Sequence, residues 1–401
     1  MTSRVLIVSG FWLVVSGFSV AQDHGVTFLV QNTEGTPGTG VLQQFDAQGV
    51  RLRGGVTQPL TDVARIRRHL GVLPPFPRRN VVILTNGNHL PWADKDSRLE
   101  EGRLHLTLAE AKVRLPRSFV SIIWLAPPDG MDANLMVNRL IRGRRPLDVL
   151  YLRNNDRLKG RLLEIGEKGF TMETGNRALT IDAARVACLA LNTDLQARFR
   201  PVLPYYHVIL EDGSRLDFAS FKLDASADRF EGKTLFGARL ALLPGRIAAI
   251  DPRHDRIDYL SDLKPKQYEH TPYLDLTWPL ALDTTVTGQP LVVHGDTFDK
   301  GLGMHAKSVV SYDLKGRYRR FDALAAMDAH VAPKGTARVR VLIDGKEQDI
   351  GAKKELSARD ELPLVIQLDV RKARVLTLVT DFGSAGDVQA RVNWADCRLT
   401  R

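Results

Sequence analysis

Cysteine is scarce in this chain, and its scarcity excludes several kinds of protein. The 401 residues contain only two cysteines, Cys188 and Cys397, which lie far apart in the sequence. Two cysteines cannot build the disulfide framework of a small secreted domain, and they cannot form a zinc site alone. Cys188 lies in an apolar run and Cys397 in the last predicted strand, so we expect two buried thiols rather than a bridge.

The motifs of common enzyme chemistries are also missing. The sequence has no Gly-x-Ser-x-Gly elbow, no HExxH zinc motif and no Gly-x-x-x-x-Gly-Lys-[Ser/Thr] phosphate loop. A glycosidase needs two carboxylates about 5–9.5 Å apart across a cleft, whereas the acids of the last third lie mostly in turns or directly after strand residues. The sequence therefore favours a protein that is not an enzyme and assigns no catalytic residue. A glycoside hydrolase is the less favoured alternative.

Positive charge is in excess, with 56 Lys and Arg residues against 46 Asp and Glu residues and a net charge of +10. A basic balance is compatible with nucleic acid, an acidic polysaccharide or a membrane surface. Aromatic residues make up only 7% of the chain, and no long basic run interleaves with them. We interpret the charge as a generally basic, solvated surface.

One apolar run, at the N terminus, predicts export. Arg4 precedes an apolar segment, and Ser19-Val20-Ala21 supplies the small residues that a signal peptidase reads. The run is shorter than the roughly 20 residues that a membrane-spanning helix needs. We therefore predict that residues 1–21 are a signal peptide cleaved after Ala21, rather than an uncleaved membrane anchor. The mature protein would be secreted or periplasmic, without a transmembrane segment, which disfavours nucleic acid as a partner.

The middle of the chain repeats an apolar strand, an Asn- or Asp-containing turn and a second strand. Clear copies begin at Val82, Val149 and Val208, and a fainter one begins at Val26. The turns are typical of β-hairpins, which need positive φ there. We interpret the copies as small β-barrel units of the SH3-like or Sm-like kind, each closing its own sheet. The predicted units span residues 22–70, 80–125, 147–192 and 205–252.

A short helix is predicted between the second and third units. Asp132 is a suitable N-cap, apolar residues follow it, and Gly143 stands just past the expected end at Arg142. We therefore interpret this helix as a connector between units rather than as part of a binding or active site.

The last third of the chain carries a family resemblance. The runs GLGMHAKS at 301–308, FDALAAMD at 321–328, VRVLIDGK at 339–346 and NWADCRL at 393–399 follow one another in this order. Because they contain these runs in this order, residues 256–401 resemble the NPCBM domain. This is a family of carbohydrate-binding modules found in exported bacterial proteins and beside glycoside hydrolases. The resemblance implies a galactose-binding-like jelly-roll β-sandwich that holds its ligand in loops at one end. It also implies that a structural calcium is possible.

Two stretches of this region supply candidate ligand contacts. The glycines between Gly295 and Gly303 predict a tight polar loop that ends at His305 and Lys307. The closing strand brings an amide beside a large aromatic ring, a combination that suits sugar hydroxyls and the apolar face of a sugar ring. The residues predicted to bind carbohydrate are His305, Lys307, Asn393, Trp394 and Trp278.

Each candidate also has a structural alternative. Trp278 can anchor a segment at the edge of the sandwich, and the His305 imidazole can bond a neighbouring carbonyl and close the loop. Trp394 can belong to the core, with Asp396 paired to an arginine of a neighbouring strand. For a metal, the acids in turns (Asp296, Asp299 and Asp328) lack the spacing of a calcium loop. A calcium site is left open, and no other cofactor is predicted.

The sequence as a whole predicts an exported, all-β, non-catalytic protein that binds a glycan through its C-terminal sandwich. The β-repeats would act as a spacer or as a second binding surface. The alternative is a structural or protein-interaction scaffold of the cell envelope, with envelope proteins as partners and no bound sugar.

Overall fold

The computed structural model describes residues 25–93, 97–197, 201–273, 275–351 and 355–401. Over these residues the chain consists of β-strands with a single α-helix and short 3-10 turns, which confirms the predicted all-β class. The predicted signal peptide, residues 1–21, lies outside the described residues. Within the described part, no helix has the length and apolar character needed to cross a membrane.

The first part of the chain, here called the repeat region, contains four similar units. The first unit contains β1 (Thr27–Asn32), β2 (Pro37–Phe45), β3 (Gly49–Leu52), β4 (Gln58–Pro59) and β5 (Val63–Arg68). The second contains β6 (Val81–Leu84), β7 (His89–Pro91), β8 (Arg98–Glu100), β9 (Arg103–Leu108), β10 (Ala111–Pro116) and β11 (Val120–Trp124). The third contains β12 (Asp148–Leu152), β13 (Arg157–Gly166), β14 (Gly169–Thr174), β15 (Arg177–Ile181) and β16 (Val186–Ala190). The fourth contains β17 (Tyr205–Leu210), β18 (Arg215–Asp224), β19 (Arg229–Thr234), β20 (Arg239–Leu242) and β21 (Ile247–Arg253).

All four units share one pairing scheme. The first strand pairs antiparallel with the second and with the last. The second pairs with the third and the third with the fourth, with β7 and β8 together taking the place of the second strand in unit two. A 3-10 turn precedes each last strand, at Leu60–Asp62, Arg117–Phe119, Ala183–Arg185 and Pro244–Arg246. The faint first copy therefore has the same architecture as the three clear ones.

The units are joined, which differs from the expectation that each closes a separate sheet. The last strands of units two and three, β11 and β16, pair with each other, as do β21 and β5 of units four and one. Both β11 and β16 are buried along their whole length. A buried apolar strand cannot leave an edge of its hydrogen-bonding groups unpaired, so the last strand of one unit covers that of another. One hydrophobic core accordingly draws on all four units.

The predicted connector helix is confirmed. Helix α1 spans Ala133–Arg142, the Asp132 carboxylate accepts the Leu135 N–H as an N-cap, and Gly143 follows the last turn. Cys188 and Cys397 are both buried free thiols, as predicted.

The second part of the chain is a β-sandwich. Its first sheet has the order β24-β27-β35-β29-β33, with β22 paired to β35, and its second has the order β23-β28-β34-β30-β31, with β32 paired to β30. The side chains between the two sheets form one apolar core. The strands are β22 (Ile257–Tyr259), β23 (Gln267–His270), β24 (Ala281–Leu282), β25 (Leu291–Val293), β26 (Asp296–Phe298), β27 (Gly301–His305), β28 (Ser308–Asp313), β29 (Arg320–Met327), β30 (Thr336–Ile343), β31 (Lys346–Glu347), β32 (Glu355–Ser357), β33 (Leu364–Asp369), β34 (Val375–Phe382) and β35 (Arg391–Thr400).

The glycine-rich stretch is a buried strand rather than the predicted polar loop. Gly301 and Gly303 belong to β27, which is buried throughout. A Cβ atom on Gly303 would lie 2.5 Å from the carbonyl oxygen of Thr284 and 2.7 Å from the amide nitrogen of Val286. These glycines therefore allow a neighbouring segment of backbone to lie directly against the strand.

The repeat region and the sandwich share a second apolar cluster and several ion pairs. Leu73 and Ile209 pack with Leu291 and Phe298 across the boundary. The ionic contacts are Arg67 with Asp296, at 2.8 Å, and Arg65 with Asp396, at 3.3 Å.

A further ionic contact joins His207 of the repeat region to Asp299 of the sandwich. His207 lies between two carboxylates, with Nδ1 2.7 Å from Asp217 Oδ1 and Nε2 2.7 Å from Asp299 Oδ2. Burial disfavours the charged imidazole, but the hydrogen bonds and negative charges of the two carboxylates raise the pKa of His207 to about 9. Burial likewise disfavours the Asp299 carboxylate, yet Arg215 and His207 hold the pKa of Asp299 well below its usual range.

The close packing at Gly303 predicts that Gly303→Ala lowers the free energy of unfolding by about 1–3 kcal/mol, because backbone atoms that cannot move aside surround the new methyl group. The matched control is Gly245→Ala, since a Cβ there meets no atom within 4 Å. Chemical denaturation of both variants checks this expectation. Equal stability of the two would contradict it.

The His207 pair predicts a pH-dependent stability. A histidine whose pKa is raised on folding contributes stability fully below its unfolded pKa of about 6.5, and the contribution is lost as the pH rises through about 9. The free energy of unfolding should therefore fall more steeply between about pH 7 and pH 10 in the wild type than in His207→Gln. The control is His69→Gln at an exposed position. If His207→Gln and wild type show parallel pH profiles, the charged pair does not stabilise the fold.

Candidate functional site

Two of the predicted ligand contacts, Trp394 and Asn393, lie in the interior, which corrects the prediction. Trp394 has no exposed surface, and its Nε1–H donates to Thr380 Oγ1 at 3.0 Å across the sandwich. Asn393 is 1% exposed, and its amide donates to the carbonyl of Val292 at 3.3 Å. Both residues belong to β35, a central strand that other strands and side chains cover on both faces. The structural alternative for Trp394 is the one observed.

Asp396, on the same strand, pairs with arginines, although not with one of a neighbouring strand as its structural alternative had it. Its carboxylate lies 3.1 Å from Arg398 and 3.3 Å from Arg65, which belongs to the repeat region. It thus pairs with arginines rather than facing a ligand.

The other three predicted contacts come together at one end of the sandwich. β27 ends there at His305, Lys307 lies in the turn that leads to β28, and Trp278 precedes β24. The indole of Trp278 stacks on the imidazole of His305, with ring centroids 4.9 Å apart and planes within 4°. Trp278 is partly exposed and Lys307 is exposed, whereas His305 is only 4% exposed.

Hydrogen bonds fix the position of His305 beneath this surface. Its Nδ1–H donates to the carbonyl of Ala306 at 2.7 Å, and Ser308 Oγ donates to the His305 carbonyl at 2.6 Å. This is the loop-closing role stated above as the structural alternative for His305. The Nδ1–H bond leaves Nε2 as the acceptor of the neutral ring. Burial lowers the pKa of His305, so the ring is neutral at neutral pH.

His270 holds Trp278 from the neighbouring strand. Its Nε2–H donates to the same Ala306 carbonyl at 3.2 Å, which leaves Nδ1 to accept the backbone N–H of Trp278 at 3.3 Å. The Trp278 carbonyl in turn accepts the hydroxyl of Tyr268 at 2.7 Å. The indole is therefore held in place by backbone bonds, and its side chain is left to form the surface.

Two residues that the sequence did not single out complete the group. Arg391 is the cross-strand partner of His305, and its guanidinium carbon lies 5.7 Å from the centre of the Trp278 ring. Among the described residues, no hydrogen-bond partner of its buried Nε is present. Asp387 has a partly exposed carboxylate 3.6 Å from His305 Nδ1. The sequence signal for Arg391 was only its place two residues before Asn393.

We refer to Trp278, His305, Lys307, Asp387 and Arg391 as the rim cluster. It offers an aromatic ring, two cationic donors and a carboxylate acceptor at the end of a rigid sandwich. Such a set can stack on an apolar ring face and hydrogen-bond to hydroxyl groups. It does not supply the two facing carboxylates that glycoside hydrolysis requires.

The acids considered for calcium do not fit that ion. Asp296 accepts two hydrogen bonds from Arg67, and Asp299 is bound by His207 and Arg215. Asp328 accepts from the ring of His330 at 2.8 Å. Carboxylates already paired with arginine, such as Asp296 and Asp299, are poor calcium ligands, and the described residues contain no group of three His, Cys, Asp or Glu that could hold a metal.

Residues 256–400 match the model of the NPCBM/NEW2 domain family, which confirms the resemblance found in the sequence. The match begins only after the repeat region has ended, so it describes the sandwich alone. No curated protein matches the chain.

Several solved structures are similar to parts of the chain. One is CBM51 from Clostridium perfringens GH95 in complex with methyl-galactose, with 20% identity, coverage of 36% of this chain and 99% of that one, and a TM-score of 0.32. A second is CBM51-2 in complex with GlcNAc and INT domains from Clostridium perfringens ZmpB, with 23% identity, coverage of 43% and 36%, and a TM-score of 0.33. A third contains the tandem CBM51 modules of Sp3GH98 from Streptococcus pneumoniae SP3-BS71, with 14% identity, coverage of 63% and 87%, and a TM-score of 0.32. Scores of this size do not support the transfer of a ligand to this chain.

The interior position of Trp394 leads to a testable coupling. Trp394→Phe removes the donor of the bond to Thr380, and Thr380→Val removes the acceptor. A double-mutant cycle should give a coupling of about 1 kcal/mol in the free energy of unfolding, since both groups are buried. A coupling near zero would mean that the hydrogen bond between the Trp394 indole and Thr380 does not stabilise the fold.

Proposed function

We propose that this protein is an exported, non-catalytic carbohydrate-binding protein that recognises its glycan at the rim cluster of the NPCBM-matching sandwich. The observation that carries the proposal is the partly exposed indole of Trp278, stacked on His305 and bordered by Lys307, Asp387 and Arg391. The apolar segment at the N terminus and the predicted cleavage site after Ala21 support export. The absence of catalytic motifs in the sequence supports a binding role.

The rim cluster suits a sugar because its parts are held before a ligand arrives. His270 and Tyr268 fix the backbone of Trp278, and the Ala306 carbonyl fixes His305. A prearranged surface binds with a smaller entropic cost than one that must be ordered. Few groups converge, and each hydrogen bond to a hydroxyl replaces one to water, so the affinity for one sugar unit is weak.

The donors and acceptors of the rim cluster also set what it can recognise. Lys307 and Arg391 donate, whereas the Asp387 carboxylate and the Nε2 atom of His305 accept. A vicinal pair of sugar hydroxyls can donate to one member of the set and accept from another. The exposed ring of Trp278 supplies the apolar contact that such a diol needs.

A glycan array with the intact chain tests this function, with immobilised neutral and acidic oligosaccharides as the probes. Trp278→Ala should weaken binding to the bound glycans about tenfold or more, because the stacking surface is lost. Lys307→Ala should weaken it by a smaller factor. The matched control is Lys346→Ala in β31. Lys346 pairs with Ile343 at one end of the β30–β34 strand pair, whereas Thr380 and Phe382 lie towards the opposite end.

Retention of full binding by both rim variants would reject the rim cluster as the site. If the wild-type chain binds no glycan on the array, the carbohydrate function is wrong and the scaffold role is favoured. Circular dichroism and thermal unfolding of each variant separate a lost contact from a lost fold.

A further inference from the structure

A cleft between the repeat region and the sandwich lies away from the rim cluster. Its volume is about 400 Å³, and none of the five rim residues lines it. Residues of helix α1, of the second and fourth units and of the segment from Leu282 to Lys300 line it. Clefts between domains with volumes of about 300–1,000 Å³ are common positions for small-molecule sites.

Arg253 is the unusual side chain in this cleft. It is 9% exposed, and its Nε has no hydrogen-bond partner among the described residues. Its Nη2 lies 3.6 Å from Asp251 Oδ2, beyond hydrogen-bond distance, because Arg65 already binds that carboxylate with bonds of 2.6 and 2.7 Å. The face of its guanidinium lies over the Tyr259 ring, 4.3 Å from the centroid, and the unfilled N–H donors at its edge remain for an anion.

The charges around Arg253 leave room for an anion. Asp217, Asp283 and Asp299 line the cleft, but each is paired with a cation, namely His207 or Lys300.

The cations at the mouth are less fully paired. Arg78 and Arg142 are exposed, and neither forms an ion pair within the described part of the chain, although Arg142 donates to Thr284 Oγ1 at 3.2 Å. The lining therefore carries a surplus of positive charge.

The rest of the lining is amphipathic. Tyr205 is the cross-strand partner of Arg253, so both side chains lie on one face of the sheet. The Tyr205 hydroxyl makes no hydrogen bond to another described residue, whereas Val137, Ile141 and Leu282 give the cleft an apolar surface. An anionic ring with both hydroxyls and an apolar face matches this combination.

We propose that this cleft binds a carboxylate-bearing saccharide, with Arg253 receiving the carboxylate and Tyr205 contacting the sugar ring. A planar guanidinium can donate two parallel hydrogen bonds to a carboxylate, which fixes both the position and the orientation of the ligand. This ligand is distinct from the glycan at the rim cluster, and its binding does not depend on that site.

Calorimetric titration of the full chain with sodium D-galacturonate tests the proposal, with D-galactose as the neutral match and sodium sulfate as the inorganic anion. The wild type should bind galacturonate, and Arg253→Gln should weaken that binding about tenfold or more. Any D-galactose binding should be the same in both proteins. Arg114→Gln, an exposed arginine on β10 that does not line the cleft, is the charge-matched control.

A second variant guards against misfolding of Arg253→Gln. The double change Arg78→Gln and Arg142→Gln alters only exposed residues at the mouth, and it should weaken galacturonate binding about threefold or more through the lost charge. No galacturonate binding by the wild type overturns the proposal. So does binding that Trp278→Ala abolishes while the cleft variants retain it, or sulfate binding as tight as galacturonate binding. These titration outcomes concern the cleft alone, so they test its proposal whatever the rim variants do on the glycan array.

Discussion

The buried carboxylate of Asp299 constrains how the two halves of the chain fit together. It belongs to the sandwich, directly before the glycine strand β27, yet its partners, His207 and Arg215, come from the fourth repeat unit. A buried charge without a partner costs several kcal/mol, so the sandwich cannot move away from this unit without leaving Asp299 unpaired. The apolar contact of Leu291 and Phe298 with the repeat region adds stability, but it is less directional. The ionic contact therefore sets the orientation, and the cleft beside it is a consequence.

Local signals carried most of the fold prediction. Hairpin turns and the capped helix α1 depend on residues within a few positions of one another, and the sequence indicated both. The pairing of strands between units, by contrast, depends on residues far apart in the sequence. β11 and β16 meet over a separation of more than 60 residues, and their uniformly apolar sequences suit either an isolated sheet core or a shared one. The glycines of β27 were expected in a polar loop, and their close approach to the backbone at Thr284 could be identified only from the structure.

The candidate site was predictable in part for the same reason. In a strand with one solvent-facing side, apolar and polar residues alternate, and this pattern would have identified Trp394 as facing the core. β35 is buried on both faces, so alternation gave no such signal and Trp394 resembled a surface aromatic as much as a core one. Lys307 was found because it lies in the recognisable GLGMHAKS run, and Trp278 because an aromatic ring suits the apolar face of a sugar. Arg391 and Asp387 were missed because their closeness to His305 depends on strand register and on a turn, neither of which the sequence specifies.

The two sites differ in what they require of the fold. The rim cluster consists of sandwich residues alone, so its geometry is independent of the repeat region. The cleft is shared, because Arg253 belongs to the fourth unit and Lys300 to the sandwich. Lys300 directly follows Asp299, so a ligand bound to Arg253 in this cleft would lie beside the joint that Asp299 closes. By linkage, whatever stabilises the closed joint then strengthens ligand binding, and the ligand stabilises the joint by the same free energy. Under the proposed binding in the cleft, the repeat region would have a role in recognition that a simple spacer lacks.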